Sequence, residues 1–125
     1  MILGFKDQFE EPCMDGTKKH SLREDPSNRW RQGRIIHMAV KVRTKLMRIF
    51  RKDLVCTGTQ KVKIISRLRS VFVDGRVLNM ENTRELALND GFKTEDDFWA
   101  WFNNDFEGKI IHWTVLPFQN GEGKV

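Results

Sequence analysis

Residues 70–78 read Ser70-Val71-Phe72-Val73-Asp74-Gly75-Arg76-Val77-Leu78. β-Branched and aromatic residues, which favour extended structure, lie on both sides of a central Asp-Gly pair. This pair suits a type I′ turn, because both central residues of that turn have positive φ. The nonapeptide therefore predicts a β-hairpin with a two-residue loop at Asp74 and Gly75.

The chain before the hairpin contains further short segments that predict strands. They are residues 2–5, 18–23, 34–43, 54–56 and 61–66. In the last of these segments, Lys61 and Lys63 alternate with Val62 and Ile64. This alternation predicts one solvated face and one buried face.

Two other segments before the hairpin are less regular. Residues 6–15 predict a short helix or turn that Gly16 ends. Residues 43–52 spread five basic residues among apolar ones without a clear period. For that segment a basic loop, an irregular strand pair and a short helix all remain open.

A first helix is predicted after the hairpin. Asn82 and Glu85 have the spacing of a capping box, in which each residue satisfies a free N–H group of the other's backbone. Asp90-Gly91 marks the end of this helix, since glycine readily takes the left-handed conformation of a helix C-terminus.

A second helix is predicted to open at Thr94, with carboxylates in its first turn. Phe98, Trp101 and Phe102 fall at i, i+3 and i+4 on one face, a spacing that favours core packing over a ligand platform. Residues 110–116 predict a final strand.

These segments predict an α+β, mainly β fold: a small antiparallel or mixed β-barrel flanked by short helices. A chain of 125 residues fits one domain. We assign this domain to residues 1–118 and expect residues 119–125 to form a mobile tail.

Composition narrows the class of protein. The chain is 39% hydrophobic and 31% charged, as expected for a globular protein and not for a disordered or membrane one. No apolar run approaches the roughly 20 residues that cross a bilayer, and we expect no signal peptide and no membrane partner. The two cysteines, Cys13 and Cys56, are expected to be reduced, which places the protein in the cytoplasm.

Positive charge is concentrated in the middle of the chain. Residues 17–76 contain 17 Lys and Arg against four carboxylates, a net charge of +13, and the remaining residues carry −8 because the total is +5. Such asymmetry indicates a polyanionic partner, most commonly a nucleic acid. The alternative is a basic sheet whose charge serves only solubility.

The most polar stretch lies near the N-terminus and reads Asp15-Gly16-Thr17-Lys18-Lys19-His20-Ser21-Leu22-Arg23-Glu24-Asp25. Its composition favours the wall of a site over core packing. In a strand, Lys18 and Ser21 would point to opposite faces. A site that uses both therefore requires Lys18 to lie in a turn before the strand begins.

Arg29-Trp30-Arg31 follows a turn signal at residues 25–28. Trp30 could stack on a base while the flanking guanidinium groups contact phosphates. It could equally plug the open end of a small barrel. The sequence leaves both alternatives open.

Four motifs together resemble the ASCH (activating signal cointegrator homology) family. They are Gly16-x-Lys18-x-x-Ser21-x-Arg23, Trp30-x-x-Gly33, Asp90-Gly91-Phe92 and Phe98-Trp99-x-Trp101-Phe102. The resemblance spans residues 2–118 and implies a PUA-like β-barrel that binds RNA or a nucleotide in a cleft. The resemblance also implies two possible activities, since some small members resemble amidohydrolases that remove an acyl group from acetylated cytidine, and others have been regarded as nucleases.

The resemblance also implies residue roles. The lysine of the hydrolytic members corresponds to Lys18, their threonine to Ser21 and their glutamate to Asp90, whose side chain is one methylene shorter. If the protein is an enzyme, Ser21 is the nucleophile, Lys18 the base, and Asp90 orients the amine or holds the leaving group.

The first function we predict is binding of RNA or a nucleotide, with hydrolysis of an acylated cytidine nucleoside as the alternative. In the binding hypothesis, basic residues contact phosphates, Trp30 or His20 stacks on a base, and Ser21 with Asp90 contacts a base edge. The predicted binding residues are Lys18, Lys19, His20, Ser21, Arg23, Arg29 and Trp30.

Other chemistry is not indicated. His20, His37 and His112 are too far apart in sequence to indicate a metal site, and we expect no cofactor.

A third possible function is that of a module whose basic surface docks an acidic protein. A concave pocket at Lys18, Ser21 and Asp90 would favour the first two functions, and a flat surface the third. The oligomeric state is left open.

Overall fold

The structure is a computed structural model that describes residues 1–115. It contains eight strands and three short α-helices. The strands are β1 (Ile2–Phe5), β2 (His20–Arg23), β3 (Ile35–Val40), β4 (Arg48–Val55), β5 (Gly58–Ile65), β6 (Ser70–Val73), β7 (Arg76–Val77) and β8 (Phe106–His112). The helices are α1 (Glu10–Asp15), α2 (Met80–Asn89) and α3 (Glu95–Trp101), with 3₁₀ turns at Asp7–Phe9 and Ser66–Leu68.

The strands form two sheets. The three-stranded sheet has the order β1-β3-β4, with β1 parallel to β3 and β3 antiparallel to β4. The five-stranded sheet has the order β2-β8-β5-β6-β7 and is antiparallel throughout. A mainly β fold with short helices is therefore confirmed. Residues 1–115 form no single closed sheet, so the barrel remains a prediction.

The core lies where the inner faces of the sheets meet each other and the helices. Phe5 of β1 packs edge-on against Trp113, which follows β8, with ring centroids 6.2 Å apart. Phe98 of α3 and Leu86 of α2 are fully buried in the same cluster. The face of β5 that carries Val62 and Ile64 is buried while Lys61 and Lys63 are exposed, as their alternation predicts.

The predicted hairpin is confirmed as β6 and β7. Asp74 and Gly75 have φ values of 51° and 84°, the signs that a type I′ turn requires. Residues 43–52, which the sequence left open, form the end of one turn, a second turn closed by the Met47 N–H on the Thr44 carbonyl, and the first five residues of the edge strand β4. No helix of the described chain is long and apolar enough to cross a bilayer.

Several predicted boundaries are wrong. β2 begins at His20, two residues later than predicted, and β8 starts at Phe106 and ends at His112. The cap of α2 is Asn79 and not Asn82: the Asn79 side chain accepts a hydrogen bond from the Asn82 N–H, so the helix starts one turn earlier. The predicted tail at residues 119–125 lies outside the described residues.

Candidate functional site

The turn before β2 places Lys18. Gly16 ends α1 with φ of 87°, and the Asp15 carboxylate accepts a hydrogen bond from the Thr17 N–H. The backbone N–H of Lys18 then bonds the carbonyl of Pro12 at 2.9 Å. Lys18 therefore lies ahead of the strand, and the requirement for a site that uses both Lys18 and Ser21 is met.

The end of α2 brings Asp90 to the same place. Asp90 is the C-cap residue that follows α2, and Gly91 comes next with φ of 95°. A Cβ atom on Gly91 would lie 3.1 Å from Cβ and Cδ of Lys18. Position 91 therefore requires glycine for two reasons: its backbone is left-handed, and the aliphatic part of Lys18 occupies the space that a side chain would need.

Lys18 and Asp90 form a buried ion pair. Lys18 Nζ donates hydrogen bonds to the Asp90 carbonyl oxygen at 2.6 Å and to Asp90 Oδ1 at 3.1 Å, and both residues are only 3% exposed. Burial lowers the pKa of Lys18 and raises the pKa of Asp90 to about 6, because removing water disfavours the charged form of each group. Residues 72 positions apart thus converge as predicted.

Arg23 and Ser21 adjoin this pair. Arg23 Nε donates to Ser21 Oγ at 2.9 Å, and Nη2 donates to the carbonyl of Gly4 at 2.5 Å. A guanidinium has five N–H groups, so three remain for a ligand. Burial lowers the pKa of Arg23 from its ordinary value, and among residues 1–115 no carboxylate forms an ion pair with it.

Aromatic rings form the apolar part of the site. Lys18 Nζ lies 4.7 Å from the ring centroid of Phe9, and the Arg23 guanidinium lies 5.0 Å from that of Phe5. Both contacts have the geometry of cation–π interactions, which help to stabilise cations that are removed from water. Phe92 packs edge-on against Phe9 at 5.4 Å.

These side chains line one concave site of about 1450 Å³, which we call the Lys18 cleft. Its wall contains six basic residues and three acidic ones. The basic residues are Lys6, Lys18, Arg23, Arg29, Lys41 and Arg43, and the acidic ones are Asp7, Glu24 and Asp90. The cleft is therefore cationic, and four predicted binding residues, Lys18, Ser21, Arg23 and Arg29, lie in its wall.

The remaining predicted binding residues do not line the cleft. His20 is buried behind the ion pair, with Nε2 3.6 Å from Asp90 Oδ1 and without a hydrogen-bond partner among the described residues. Burial, followed by the neighbouring His112, lowers the pKa of His20 well below its ordinary value, which favours the neutral form of the ring. Lys19 is exposed outside the cleft.

Trp30 is also buried, with 7% of its surface exposed. The Asp25 carboxylate fixes the loop, because it accepts hydrogen bonds from the backbone N–H groups of Arg29 and Trp30. The structure thus corrects the prediction that Trp30 or His20 stacks on a base: neither ring presents a face to solvent. Of the two alternatives for Trp30, packing is the one observed.

Sequence reasoning missed Trp101. The i, i+3, i+4 spacing predicted a buried stripe of Phe98, Trp101 and Phe102, but the buried pair is Phe98 and Trp99, and Trp101 is exposed in the wall of the cleft. The available signal was the position of Gly108 and the polar residues 103–105, which indicate that the helix ends soon after Trp101 and leaves its last side chains uncovered.

The cysteines and histidines add no further chemistry to the site. Cys13 and Cys56 are buried free thiols. Between residues 1 and 115, no group of three or more His, Cys, Asp or Glu side chains is arranged to hold a metal ion.

Comparisons of the chain with protein-family models, with curated proteins and with solved structures give no match.

Proposed function

We propose that the protein binds RNA or a nucleotide in the Lys18 cleft. The observation that carries this proposal is the cleft itself: a concave cationic site with a buried Lys18–Asp90 pair, Ser21 and Arg23 in its wall. Ligand sites are commonly concave, largely apolar and fitted with a few converging polar groups. Concavity also supports this function over a flat surface that docks an acidic protein.

The charges suggest how such a ligand would be held. Arg23 has N–H groups to spare, and Arg29 and Arg43 are exposed at the wall of the same cleft, so these guanidinium groups are suited to phosphate oxygens. Lys18, Ser21 and Asp90 are each at most 4% exposed but line the cleft, so a base edge would have to reach the remaining N–H of Lys18, the Ser21 hydroxyl and the Asp90 carboxylate from the cleft side. Phosphate contacts would provide affinity and the polar groups selectivity.

The resemblance to the ASCH family agrees with this proposal and extends it to a PUA-like fold. The motif residues Lys18, Ser21 and Asp90 come together around the cleft, as a site shared by such a family requires. The basic middle of the chain supplies most of the cations in the wall. A cytoplasmic location, where RNA and nucleotides are abundant, is part of the same proposal.

Binding of a short single-stranded RNA tests the proposal. Lys18→Met and Arg23→Met keep the aliphatic stems over Phe9 and Phe5 but remove the charges. Since a hydrogen bond to a charged group contributes about 1.5–3 kcal/mol and the double variant removes two charged groups, it should bind about a hundredfold more weakly or worse. Equal affinity of the double variant and the wild type, both folded by circular dichroism, would refute the proposal.

The alternative is hydrolysis of an acylated cytidine nucleoside, favoured by opposite pKa shifts of Lys18 and Asp90 within an open cleft. Ser21 Oγ would give its proton to Lys18 and attack the acyl carbonyl, the carbon–nitrogen bond would break with the protonated cytidine amine as the leaving group, and water would then hydrolyse the acyl-serine ester. Arg23, which already donates to Ser21 Oγ, would stabilise the developing alkoxide on that oxygen. Within residues 1–115 Lys18 Nζ bonds Asp90 and not Ser21, so acting as a base requires the amine to leave the carboxylate.

Incubation with acylated cytidine nucleosides separates this alternative from binding alone. Turnover that is present in the wild type and lost in Ser21→Ala supports the enzyme. Turnover at the same rate in both eliminates Ser21 as the nucleophile, and turnover in neither eliminates the hydrolysis and leaves the binding function.

A further inference from the structure

Trp101 differs from the other three tryptophans of the chain. It is 44% exposed, whereas Trp30, Trp99 and Trp113 are each 7% exposed or less. It is the last residue of α3, and its side chain lies in the wall of the Lys18 cleft. A large aromatic surface is therefore in contact with solvent beside a cluster of cations.

The position of this indole is fixed by its neighbours. Its ring packs edge-on against Phe9 at 5.3 Å and at a tilt against Phe92 at 5.8 Å. Phe98, one turn earlier in α3, is fully buried and anchors the helix. Two core contacts thus hold the ring while nearly half of its surface remains exposed. Stacking of a ligand on this ring would therefore cost little side-chain conformational entropy.

The indole of Trp101 and the amine of Lys18 share Phe9 as a neighbour. Phe9 contacts Trp101 on one side, and its centroid is 4.7 Å from Lys18 Nζ on another. An aromatic ligand that lies against the indole would therefore occupy the same cleft as Lys18 and Asp90, with Phe9 between the indole and the ion pair. Meanwhile a phosphate on the same ligand can reach the basic residues of the wall.

We infer that Trp101 is the stacking platform for an unpaired nucleobase of the ligand in the Lys18 cleft. This inference rests on the proposed function and names the part of the ligand that the apolar wall recognises. A base in a duplex is stacked on both faces, so the ligand is a mononucleotide or single-stranded RNA. Cations would also favour an indole face, but the surplus of basic residues in the wall repels them.

Intrinsic fluorescence of the wild-type protein gives the first readout, because Trp101 is the exposed indole. Titration with the four ribonucleoside 5′-monophosphates should quench the emission, whereas ribose 5-phosphate, which has no base, should not. Stacking on an aromatic side chain strengthens binding by about 5- to 140-fold per base. Calorimetry should show that advantage of each monophosphate over ribose 5-phosphate.

Trp101→Leu should abolish the advantage and leave the affinity for ribose 5-phosphate unchanged, while Trp101→Phe should retain part of it. Leucine keeps apolar contact with Phe9 and Phe92, and a thermal unfolding midpoint verifies that the variant is folded. Leu46→Ala, at a residue that is 71% exposed and outside the cleft, is the matched control and should bind like the wild type.

Failure of this inference can be told from failure of the proposed function. If the monophosphates bind and Lys18→Met/Arg23→Met weakens them, but Trp101→Leu and Trp101→Phe keep the full advantage of the base, the stacking role alone is overturned. If the wild type binds neither monophosphates nor single-stranded RNA, both the proposed function and the stacking role of Trp101 are refuted.

Discussion

At the scale of single residues, the central feature is the Lys18–Asp90 pair. A buried ion pair contributes little net stability, because the cost of desolvation offsets much of the attraction between the charges. Ser21 and Arg23 place a hydroxyl and a third charged group beside it. Such a cluster of desolvated polar groups in an open cleft is the feature on which the proposed function depends.

The raised pKa of Asp90 has a consequence for stability. Its value of about 6 in the folded protein exceeds the ordinary 3.8, so between these pH values the folded state binds the proton more tightly than the unfolded state. The contribution of Asp90 to the free energy of unfolding is therefore fully present below about pH 4 and is lost as pH rises to about 6. The loss amounts to about 3 kcal/mol.

Urea denaturation of the wild type and Asp90→Asn at pH 4 and pH 7 measures this effect. The free energy of unfolding of the wild type, relative to the variant, should be greater at pH 4 than at pH 7 by about 3 kcal/mol. A difference between the two proteins that is the same at both pH values would show that the Asp90 pKa is not raised.

At the scale of elements, local signals were the most reliable. The Asp74-Gly75 turn and the Thr94 cap depend on residues within one turn of each other, and both are observed. The start of α2 was mistaken because Asn79 and Asn82 each offer a capping side chain. Asn79 is the cap since it has extended dihedral angles and its carbonyl accepts from the Thr83 N–H, which closes the first turn.

Replacing the two asparagines tests this assignment. Asn79→Ala should lower the free energy of unfolding by about 1 kcal/mol, because the Asn82 N–H loses its acceptor. Asn82→Ala is the matched control and should change it by less than about 0.5 kcal/mol. Equal losses, or a larger loss for Asn82→Ala, would favour the cap that the sequence pattern predicted.

At the scale of the whole molecule, the sequence predicted the class of fold but not its arrangement. The division into two sheets depends on β1 pairing in parallel with β3, a contact between segments more than 30 residues apart that no local pattern encodes. The prediction that Lys18 and Asp90 belong to one site was based on the family resemblance and not on their spacing in the sequence. Trp101 was assigned to the core because helical periodicity does not reveal whether another element covers a given face.

Only some of the basic residues in the middle of the chain lie at the Lys18 cleft in the folded protein. Some basic residues of the middle segment are paired with carboxylates, as Arg48 is with Glu10. Arg29 and Arg43 are exposed and line the Lys18 cleft, where basic residues outnumber acidic ones. Arg67 and Arg76 are equally exposed but lie outside it, so the molecule contains its own matched controls.

The salt dependence of RNA binding tests the central claim most directly. Each phosphate contact contributes about 0.7 to the slope of log affinity against log salt concentration for a single strand. For a short single-stranded RNA, Arg29→Ala/Arg43→Ala should therefore reduce the magnitude of this slope by about 1.4, while Arg67→Ala/Arg76→Ala should leave it at the wild-type value. An equal reduction in both double variants, or no RNA binding by the wild type, would contradict a phosphate site in the Lys18 cleft.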